Sequence, residues 1–563
     1  MARTLITSAL PYINGVKHLG NLIGSLLPAD VYARHLRQQG EEVLAICGTD
    51  EHGTPAELAA LAEGKSPQEY CDEQFAIQDR IYRDFELSFD YFGRTSSPVH
   101  HQLTQDIYRR LDENGYIEER EIEQIYSIDD ARFLPDRYVI GTCPHCGFTD
   151  ARGDQCDNCG SLMDPTQLGE PRSAVSGSKN LEIRRSKHLF LRLSKLQERV
   201  RAWVDGHPSW PPTTRGIAYK WLDEGLQDRS ITRDLAWGIA VPRPGFEGKV
   251  FYVWFDAPIG YISMTMDWAR LGGDPEAWKR WWLAPGEVEY AQFMGKDNVP
   301  FHTVMWPATM LGTGQPWVFA SNVKGFSWLT YEGGKFSTSR GRGIFTDTAL
   351  ELFPADLWRY ALLATVPEGT DSDFSIEGFA ALVNKDLADV LGNFVNRVQT
   401  LVVRNFDGRV PEPGPQEEVD RQLLARCREL AEELDSELRA TNFRKAMRAL
   451  RALWAAGNEY VTQTQPWALV KTDRARGGEV LRRTLQLAWL YAVASAAVMP
   501  AKSREIFALL GESGDPGRVS LATALSFDHP PSGQALVPGP PLFEKISPER
   551  VAELTERFRG KEG

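Results

Sequence analysis

The sequence of 563 residues has no hydrophobic run long enough to cross a bilayer. Its longest apolar stretch, residues 485–499, includes Gln486 and stops at Pro500, whereas a membrane-spanning helix needs about 20 apolar residues. The chain begins at Met1 with only a short apolar run before Pro11, which is not the pattern of a secretory signal. These absences predict a cytoplasmic protein with no membrane partner, and they indicate that residues 485–499 form a buried helix.

The sequence also lacks an excess of basic residues. Its 63 lysines and arginines are outnumbered by 76 aspartates and glutamates, and the formal net charge is −13. This charge argues against unselective coating of nucleic acid, but a local basic surface remains compatible with it, because nearby charges set the field in a groove. No internal repeat or low-complexity segment is present, and the length suggests about three to four domains.

Cysteine is scarce and unevenly placed. Of seven cysteines, four form two Cys-x2-Cys pairs separated by nine residues, namely Cys143, Cys146, Cys156 and Cys159. In a reducing compartment such clustering indicates metal rather than disulfides. Four thiolates can close a tetrahedral zinc site without an open position, which predicts a structural role; a redox pair and accidental clustering are the alternatives. His145, between the ligands, is not needed and is expected to face solvent.

The first part of the chain alternates short apolar strands with helix-like stretches. This rhythm predicts an α/β fold with a doubly wound parallel sheet. A helix is expected at residues 22–36, and strands are expected at residues 4–10, 42–46, 249–255, 290–294 and 317–320. The pattern breaks near Gly115 and returns near Ser230, which indicates one α/β domain interrupted by a long insertion.

From about Asn384 the sequence changes to long helical patterns, expected at residues 386–403, 419–438, 443–462 and 479–497, which predict an α-helical bundle. A tail rich in Pro and Gly precedes a last short helix at residues 548–558, and within it PLFEKI, residues 541–546, resembles a strand-like end. The predicted domains are a Rossmann-like catalytic domain (1–114 and 231–323), a connective insertion with zinc knuckles (115–230), a linking domain (324–383), the helical domain (384–525) and a C-terminal tail that packs back on the body (526–563).

Two loops carry more polar chemistry than a connection requires. In ALPYINGVKHLGN, residues 9–21, glycines, His18 and Asn21 stand where a helix begins, and free backbone N–H groups at a helix start suit phosphate. The second loop, GGKFSTSRGRG, residues 333–343, is basic and rich in hydroxyl groups. Capped turns and solvated loops are common, so each is weak evidence alone, but both would suit the same triphosphate.

These loops resemble the two signatures of class I aminoacyl-tRNA synthetases. HLGN at residues 18–21 is similar to their HIGH motif, and KFSTS at residues 335–339 is similar to their KMSKS loop. Further segments narrow the resemblance to the zinc-containing methionyl-tRNA synthetases: CGTDEHGTP (47–55), FLPDRYVIGTCPHCG (133–147), YVWFDAPIGY (252–261), GKDNVPFH (295–302) and QPW (465–467).

The resemblance implies a methionine–tRNA ligase that activates methionine with ATP, releases pyrophosphate, and passes the methionyl group to the 3′ end of elongator and initiator tRNA(Met). It implies His18, Asn21 and Lys335 as catalytic residues. The implied ATP-binding positions, with Mg²⁺ accompanying the nucleotide, are His18, Gly20, Asn21, Gly295, Asp297, Lys335 and Thr338. Such residues suit the reaction, because negative charge moves from the α-phosphate to the departing pyrophosphate and needs prepositioned donors.

Two residues depart from the family pattern. Asn21 stands where the second histidine of HIGH would be, and its carboxamide still donates a hydrogen bond. Thr338 stands where the second lysine of the loop would be and carries no charge. We hypothesise that Arg340 or Arg342 replaces that lysine electrostatically.

By the same resemblance, Asp50 receives the α-amino group of methionine. The side chain of methionine is implied to lie among Leu10, Tyr12, Trp254, Ala257, Pro258, Tyr261, Phe301 and His302. A thioether packs well against aromatic rings, although single aromatic residues such as these would otherwise be ordinary core residues. The insertion with the cysteines is expected to approach the tRNA acceptor end.

In the helical domain the resemblance implies Asn393, Arg397 and Trp467 as the anticodon-reading positions. Asn393 and Arg397 are four residues apart and therefore share one helix face. Trp467 follows Pro466, so its ring can be presented at a helix start, where an exposed indole stacks on an unstacked base. A lone Trp would more often be packed in a core.

Other interpretations remain open at this point. A sister synthetase for leucine, isoleucine, valine or cysteine is one, and a non-catalytic nucleic-acid-binding paralogue is another. A second copy that tolerates a methionine-mimicking antibiotic is a third. No appended tRNA-binding barrel is visible after the bundle, and a monomer is expected.

Overall fold

A parallel sheet of five strands lies at the centre of the computed structural model, which describes residues 3–560 except 154, 155, 157, 160, 162 and 338–340. In spatial order the strands are Asn322–Phe326, Val288–Gly295, Arg3–Ser8, Glu42–Thr49 and Tyr91–Arg94. The order of connection reverses on either side of Arg3–Ser8, and such a switch point opens a crevice at the carboxyl ends of the neighbouring strands. The predicted fold class is confirmed.

Two predicted strands do not belong to this sheet. Residues 317–320 have an irregular backbone, and the side chains of Trp317, Val318 and Ala320 are buried. The edge strand of the sheet is Asn322–Phe326. Of residues 249–255, only Val250–Phe251 form a strand, in a separate two-stranded pair, and a short helix starts at Val253. The first prediction was wrong and the second holds only for Val250–Phe251, because a short buried apolar run has no periodicity that separates strand, helix and coil.

Helices cover both faces of the sheet. They are Leu27–Gln38, Thr54–Ala62, Pro67–Asp84, Pro98–Glu113, Gly260–Leu271 and Trp306–Gly312. The predicted helix at residues 22–36 is confirmed, but its first part, Leu22–Leu26, is a π-helix. Two more π segments, Phe301–Met305 and Val383–Gly392, occur in the described chain, and each of the three adjoins residues implicated in function. Short π segments are frequent at functional sites.

The insertion is built on a long antiparallel ribbon. Strand Ile117–Ser127 pairs with Leu181–Leu191 over eleven residues, and a small sheet of Val139–Thr142, Ala151–Arg152 and Gly169–Ser173 lies at its far end. Two helices, Gln197–Asp205 and Pro212–Glu224, follow the ribbon and share a buried core with the central sheet. The ribbon therefore holds the cysteine region away from the sheet, while the chain after it returns to the sheet.

The linking segment joins sheet and bundle through a two-stranded parallel pair, Leu329–Tyr331 with Ser372–Phe374, and the helices Thr346–Leu352 and Ala355–Ala364. All four predicted bundle helices are confirmed, with observed bounds Val383–Gly392 continued by Asn393–Asn405, then Glu418–Arg439, Phe443–Thr464 and Arg474–Ser495. Shorter helices Ile376–Leu382, Pro466–Thr472, Pro500–Leu509 and Leu521–Ala524 complete it. Residues 485–499 are all buried, as predicted. None of the helices in the described part of the chain is long and apolar enough to span a membrane.

The C-terminal tail runs back to the linking segment. Residues 541–546 do not form the predicted strand. At their end, Asn384 donates to the carbonyl of Ile546 (2.9 Å) and accepts its N–H (2.8 Å), so a side chain takes the place of a strand partner there. The predicted last helix is confirmed as Pro548–Phe558. The Phe558 carbonyl accepts the N–H of Gly343, so the tail reaches the loop that contains KFSTS.

Candidate functional site

The first motif lies at the carboxyl end of the central strand, beside the switch point. His18 precedes the helix start, and its backbone N–H donates to the Asn21 side chain (3.3 Å). A Cβ atom on Gly20 would lie 2.9 Å from the His18 ring, so glycine leaves room for the imidazole. Burial, followed by the charge of Lys17, lowers the pKa of His18 to about 4. The ring is therefore neutral at neutral pH, and its buried Nδ1 has no hydrogen-bond partner among the described residues.

The second motif meets the first directly. The ring of Phe336 stacks on His18 with centroids 4.3 Å apart and planes 5° apart. The backbone N–H and the hydroxyl of Thr346 both donate to the Lys17 carbonyl at 2.9 Å, which fastens the far side of the loop to the same segment. Lys335, next to Phe336, is exposed. Residues 318 positions apart are thus brought to one side of the crevice.

Two loop residues of interest, Thr338 and Arg340, lie outside the described residues. The guanidinium of Arg342 donates to the carbonyls of Tyr331 (3.0 Å) and Glu332 (2.8 Å), so this arginine holds the base of the loop. The hypothesis that Arg340 or Arg342 compensates for Thr338 stays a prediction.

The other predicted nucleotide-binding residues follow the neighbouring strand. A Cβ atom on Gly295 would lie 2.6 Å from Oδ1 of Asp297, so glycine leaves room for this carboxylate to fold close to the turn. Asp297 is exposed, and the neighbouring Lys296 lies 4.1 Å above the half-exposed ring of Trp328. This turn faces the crevice across from the first motif, because the two strands are adjacent.

The residues predicted for the methionine side chain gather beside the sheet. Trp254 stacks on Phe301 with ring centroids 3.8 Å apart, and a Cβ on Gly260 would lie only 3.2 Å from Leu10. Ala257 and Pro258 are buried on the short helical segment between Trp254 and Tyr261. These contacts bring the apolar side chains of the three segments together beside the sheet.

Tyr261 and His302, which adjoin these apolar residues in the sequence, form a buried hydrogen-bonded pair. Nδ1 of His302 lies 2.9 Å from the Asn298 carbonyl, which can only accept, so this nitrogen carries the proton. Burial lowers the pKa of His302 to about 4, and the neutral ring then accepts the Tyr261 hydroxyl through Nε2 at 2.9 Å. This hydrogen bond fixes the orientation of the Tyr261 hydroxyl.

Asp50 is a buried carboxyl group with no ion-pair partner in the described part of the chain. Its backbone pairs with the Tyr12 segment, with Asp50 N–H donating to Pro11 and Ile13 N–H donating to Asp50. Oδ1 has no hydrogen-bond partner in the described part of the chain. Burial raises the pKa of Asp50 well above its usual range, and the charges of Asp256 and Glu51 raise it further. An unpaired buried carboxylate fits an ammonium group.

Sequence reasoning missed two buried residues beside Asp50, although both lie inside segments that carried the resemblance. Nδ1 of His52 and Oδ2 of Asp256 are 2.8 Å apart, and both side chains are almost fully buried. Together with His100 they form a second group of potential metal ligands, but the first two already bind each other. Nothing in the spacing of 204 residues could have indicated this pair.

The four clustered cysteines converge. Sγ of Cys143 lies 3.8 Å from Sγ of Cys159, and Sγ of Cys146 lies 3.7 Å from Sγ of Cys156. Thiolates about 2.3 Å from one tetrahedral metal ion are separated by about 3.8 Å, so the cluster is compatible with a zinc site. His145 is exposed, as predicted.

The three residues predicted to read the anticodon lie on the bundle. Trp467 is half-buried, with the guanidinium of Arg397 4.4 Å from its ring centroid, and Asn393 is exposed one turn away. Gln465 has a left-handed backbone (φ 48°) that ends one helix, and Pro466 starts the next. The indole is therefore placed at a helix start beside a cation.

Comparison with known proteins gives one consistent result. Residues 4–399 match the family model described as tRNA synthetases class I (M), and residues 410–563 match the anticodon binding domain of methionyl tRNA ligase. A methionine–tRNA ligase of Caulobacter vibrioides is 55% identical over 574 aligned positions, covering 100% of both chains. Methionine–tRNA ligase 1 of Acaryochloris marina is 53% identical, covering 99% of this chain and 100% of its own. A structure of Mycobacterium tuberculosis methionyl-tRNA synthetase in complex with methionyl-adenylate has a TM-score of 0.78 at 29% identity, covering 96% of this chain and 100% of that one.

Proposed function

This chain belongs to the methionyl-tRNA synthetases of class I and is a methionine–tRNA ligase, and from that premise we propose that ATP and methionine react in the crevice between the two motifs. The enzyme activates methionine with ATP and transfers the methionyl group to tRNA. The observation that carries the proposal is the stack of Phe336 on His18, which joins the two motifs beside the switch point.

In the first step, an oxygen of the methionine carboxylate bonds to the α-phosphorus of ATP, and the bond to pyrophosphate breaks. The neutral His18 ring and the Asn21 amide donate hydrogen bonds to the phosphates from one side. Lys335, next to the Phe336 ring that stacks on His18, and the hydroxyl of Thr338, which lies outside the described residues, donate to the same phosphates from the second motif, and the Gly295 and Asp297 turn holds the adenosine. Mg²⁺ bound with ATP would supply further neutralisation of the phosphate charge. Such donors are effective because they are in place before the charge moves.

Methionine lies with its ammonium group at Asp50 and its thioether in the apolar space. Trp254 and Phe301 provide the aromatic face, and the pair of Tyr261 and His302 closes the far end. The unpaired Oδ1 of Asp50 supports this orientation, because a buried carboxylate without a counterion is costly unless a ligand cation completes it. ATP–pyrophosphate exchange tests the assignment: methionine should support exchange, whereas leucine, isoleucine, valine and cysteine should not.

We further propose that Cys143, Cys146, Cys156 and Cys159 hold one structural Zn²⁺. The Sγ separations support this, since they match the edges of a tetrahedral thiolate site. The metal would order the end of the ribbon, where few apolar side chains are buried, and the ribbon would help deliver the tRNA acceptor end.

Replacing Cys156 by serine is expected to abolish zinc binding. The wild type should contain about one zinc per chain and the variant close to none, because a four-thiolate site loses most of its affinity for zinc when one thiolate is removed. Aminoacylation should fall more than pyrophosphate exchange does. The matched control is Cys427→Ala, which removes another buried thiol outside the cluster. Zinc retained by the Cys156→Ser protein, measured by elemental analysis, would contradict the proposal.

The helical domain is proposed to read the CAU anticodon of elongator and initiator tRNA(Met) through Asn393, Arg397 and Trp467. The exposure of Asn393 and the position of Trp467 at a helix start support base contacts. We also propose that the enzyme acts as a cytoplasmic monomer and that the domains have the bounds given above.

Replacing Trp467 by alanine is expected to reduce kcat/KM for tRNA about ten- to a hundredfold, because a stacked base contributes about 1–3 kcal/mol. Pyrophosphate exchange should stay within about twofold of wild type, since that step needs no tRNA. Trp221→Ala is the matched control, because Trp221 also has a nearby arginine, with the guanidinium of Arg229 5.3 Å from its ring centroid. Equal losses in both assays would show a general structural effect instead.

A further inference from the structure

A buried hydrogen bond links the two ends of the proposed methionine site. Asp256 directly precedes Ala257 and Pro258 of the side-chain pocket and is fully buried. Its Oδ2 lies 2.8 Å from Nδ1 of His52, which comes two residues after Asp50. The segment that contacts the thioether is therefore bonded to the segment that contacts the ammonium group.

The protonation of this pair follows from its surroundings. Burial lowers the pKa of His52 to about 4 and raises the pKa of Asp256 well above its usual range, so the ring is neutral and shares one hydrogen bond with the carboxyl group. Nε2 of His52 and Oδ1 of Asp256 are buried without partners in the described chain. Each residue thus depends on the other for its one side-chain hydrogen bond, and loss of either frees the other.

The backbone around His52 is held on three sides. The Tyr12 hydroxyl donates to the His52 carbonyl, and Nε1 of Trp237 donates to the Glu51 carbonyl (2.6 Å). Tyr12 in turn pairs with Asp50 in a parallel bridge. The His52–Asp256 hydrogen bond adds a side-chain tie to these backbone contacts, and it connects the segment of Asp50 to that of Ala257 and Pro258.

We propose that Asp256 and His52 are positioning residues, which fix Asp50 for the α-amino group and tie it to the segment of the side-chain pocket. The inference rests on the proposed methionine site. It does not require either residue to touch the substrate, and it assigns to them the ammonium end of methionine and not the thioether end. A misplacement of about 1 Å at a binding group can cost as much as about a hundredfold, so a remote pair can matter.

The test compares methionine with its deamino analogue, a methylthiobutanoate, which keeps the thioether and carboxylate but has no ammonium group. Dissociation constants for both ligands are measured by quenching of intrinsic fluorescence or by calorimetry on the full-length enzyme. Asp256→Ala and His52→Ala are each expected to weaken methionine about tenfold and the analogue less than about twofold. Asp256→Asn keeps a carbonyl oxygen that accepts from His52 and should restore methionine binding to within about threefold of wild type.

The matched control is Asp435→Ala, which breaks another histidine–aspartate pair, that of His35 Nε2 with Asp435 Oδ1 at 2.9 Å. It should change neither dissociation constant.

Equal weakening of the binding of both ligands by Asp256→Ala would overturn the proposal and indicate a collapsed pocket. A tenfold loss of methionine affinity in Asp256→Asn would also overturn it, because charge and not position would then be responsible; this variant decides the question even if the alanine variants do not fold. Asp50→Asn separates the two levels: if it weakens both ligands equally, the proposed methionine site fails, and if it is selective while Asp256→Ala has no effect, only the present inference fails.

Discussion

Replacing His18 by alanine will slow methionyl-adenylate formation by about 10²–10³-fold while the affinity for methionine stays within about threefold of wild type. The reason is the position of the ring, which sits at the switch point, stacked on Phe336, with a buried nitrogen that lacks a partner among the described residues. A donor of this kind acts mainly when charge moves from the α-phosphate to pyrophosphate, so its loss lowers the rate more than the binding of methionine.

The measurement is single-turnover formation of the adenylate, with the dissociation constant for methionine determined separately. His207→Asn, a partly buried histidine on the helix side of the insertion, is the control and should leave both quantities unchanged. Because the pKa of His18 is lowered to about 4, its protonation should not shape the rate at neutral pH, and the wild-type rate should show no step near the usual histidine pKa of about 6.5. A variant that binds methionine poorly but forms adenylate at the normal rate once saturated would contradict the role.

Much of the fold follows from periodicity alone. The parallel sheet, the insertion and the four long bundle helices are predictable because amphipathic helices and alternating strands leave a repeat in the sequence. The strand predictions at residues 317–320 and 249–255 show the limit of this method. A short buried apolar run has no repeat, so the first prediction was wrong and the second holds only for Val250–Phe251. The predicted strand at residues 541–546 is absent for another reason: the Asn384 side chain binds the backbone of Ile546, and no local pattern shows such a distant contact.

The candidate site is predictable in its parts and not in its connections. Resemblance to sequence motifs predicts which side chains contact the substrate, namely His18, Lys335 and Asp50. The contacts that orient those groups are between segments hundreds of residues apart, such as Phe336 on His18 and Asp256 with His52. Each of these side chains also occurs in protein cores without a role at a binding site, so only the three-dimensional arrangement shows that they orient the site residues.

Replacing Asp50 by asparagine will raise the dissociation constant for methionine by about 10²-fold with the KM for ATP nearly unchanged, because loss of one partner from a buried charge pair costs several kcal/mol. Glu57→Gln is a suitable control, since Glu57 lies near the same segment but pairs with Arg132 (3.0 Å). Methionine binding by calorimetry and exchange kinetics with varied ATP supply the two numbers. A parallel rise in both would contradict the assignment of the ammonium site.

The same carboxyl group predicts the pH dependence of binding. Burial and the charges of Asp256 and Glu51 raise the pKa of Asp50, while Lys17 opposes them, so a falling pH protonates this group before an ordinary carboxyl. The neutral acid does not attract an ammonium ion, and methionine affinity should therefore decline as pH falls, starting above the usual carboxyl pKa of about 4, whereas Asp50→Asn should show no such decline.

A raised folded-state pKa of Asp50 also means that the charged form disfavours folding above the unfolded-state pKa. Asp50→Asn should consequently raise the Tm of the ligand-free enzyme at neutral pH, and this gain should shrink as pH falls through the folded-state pKa of Asp50. A variant that loses methionine affinity while gaining thermal stability separates a binding group from a structural one, because a carboxylate that served the fold would lose both together.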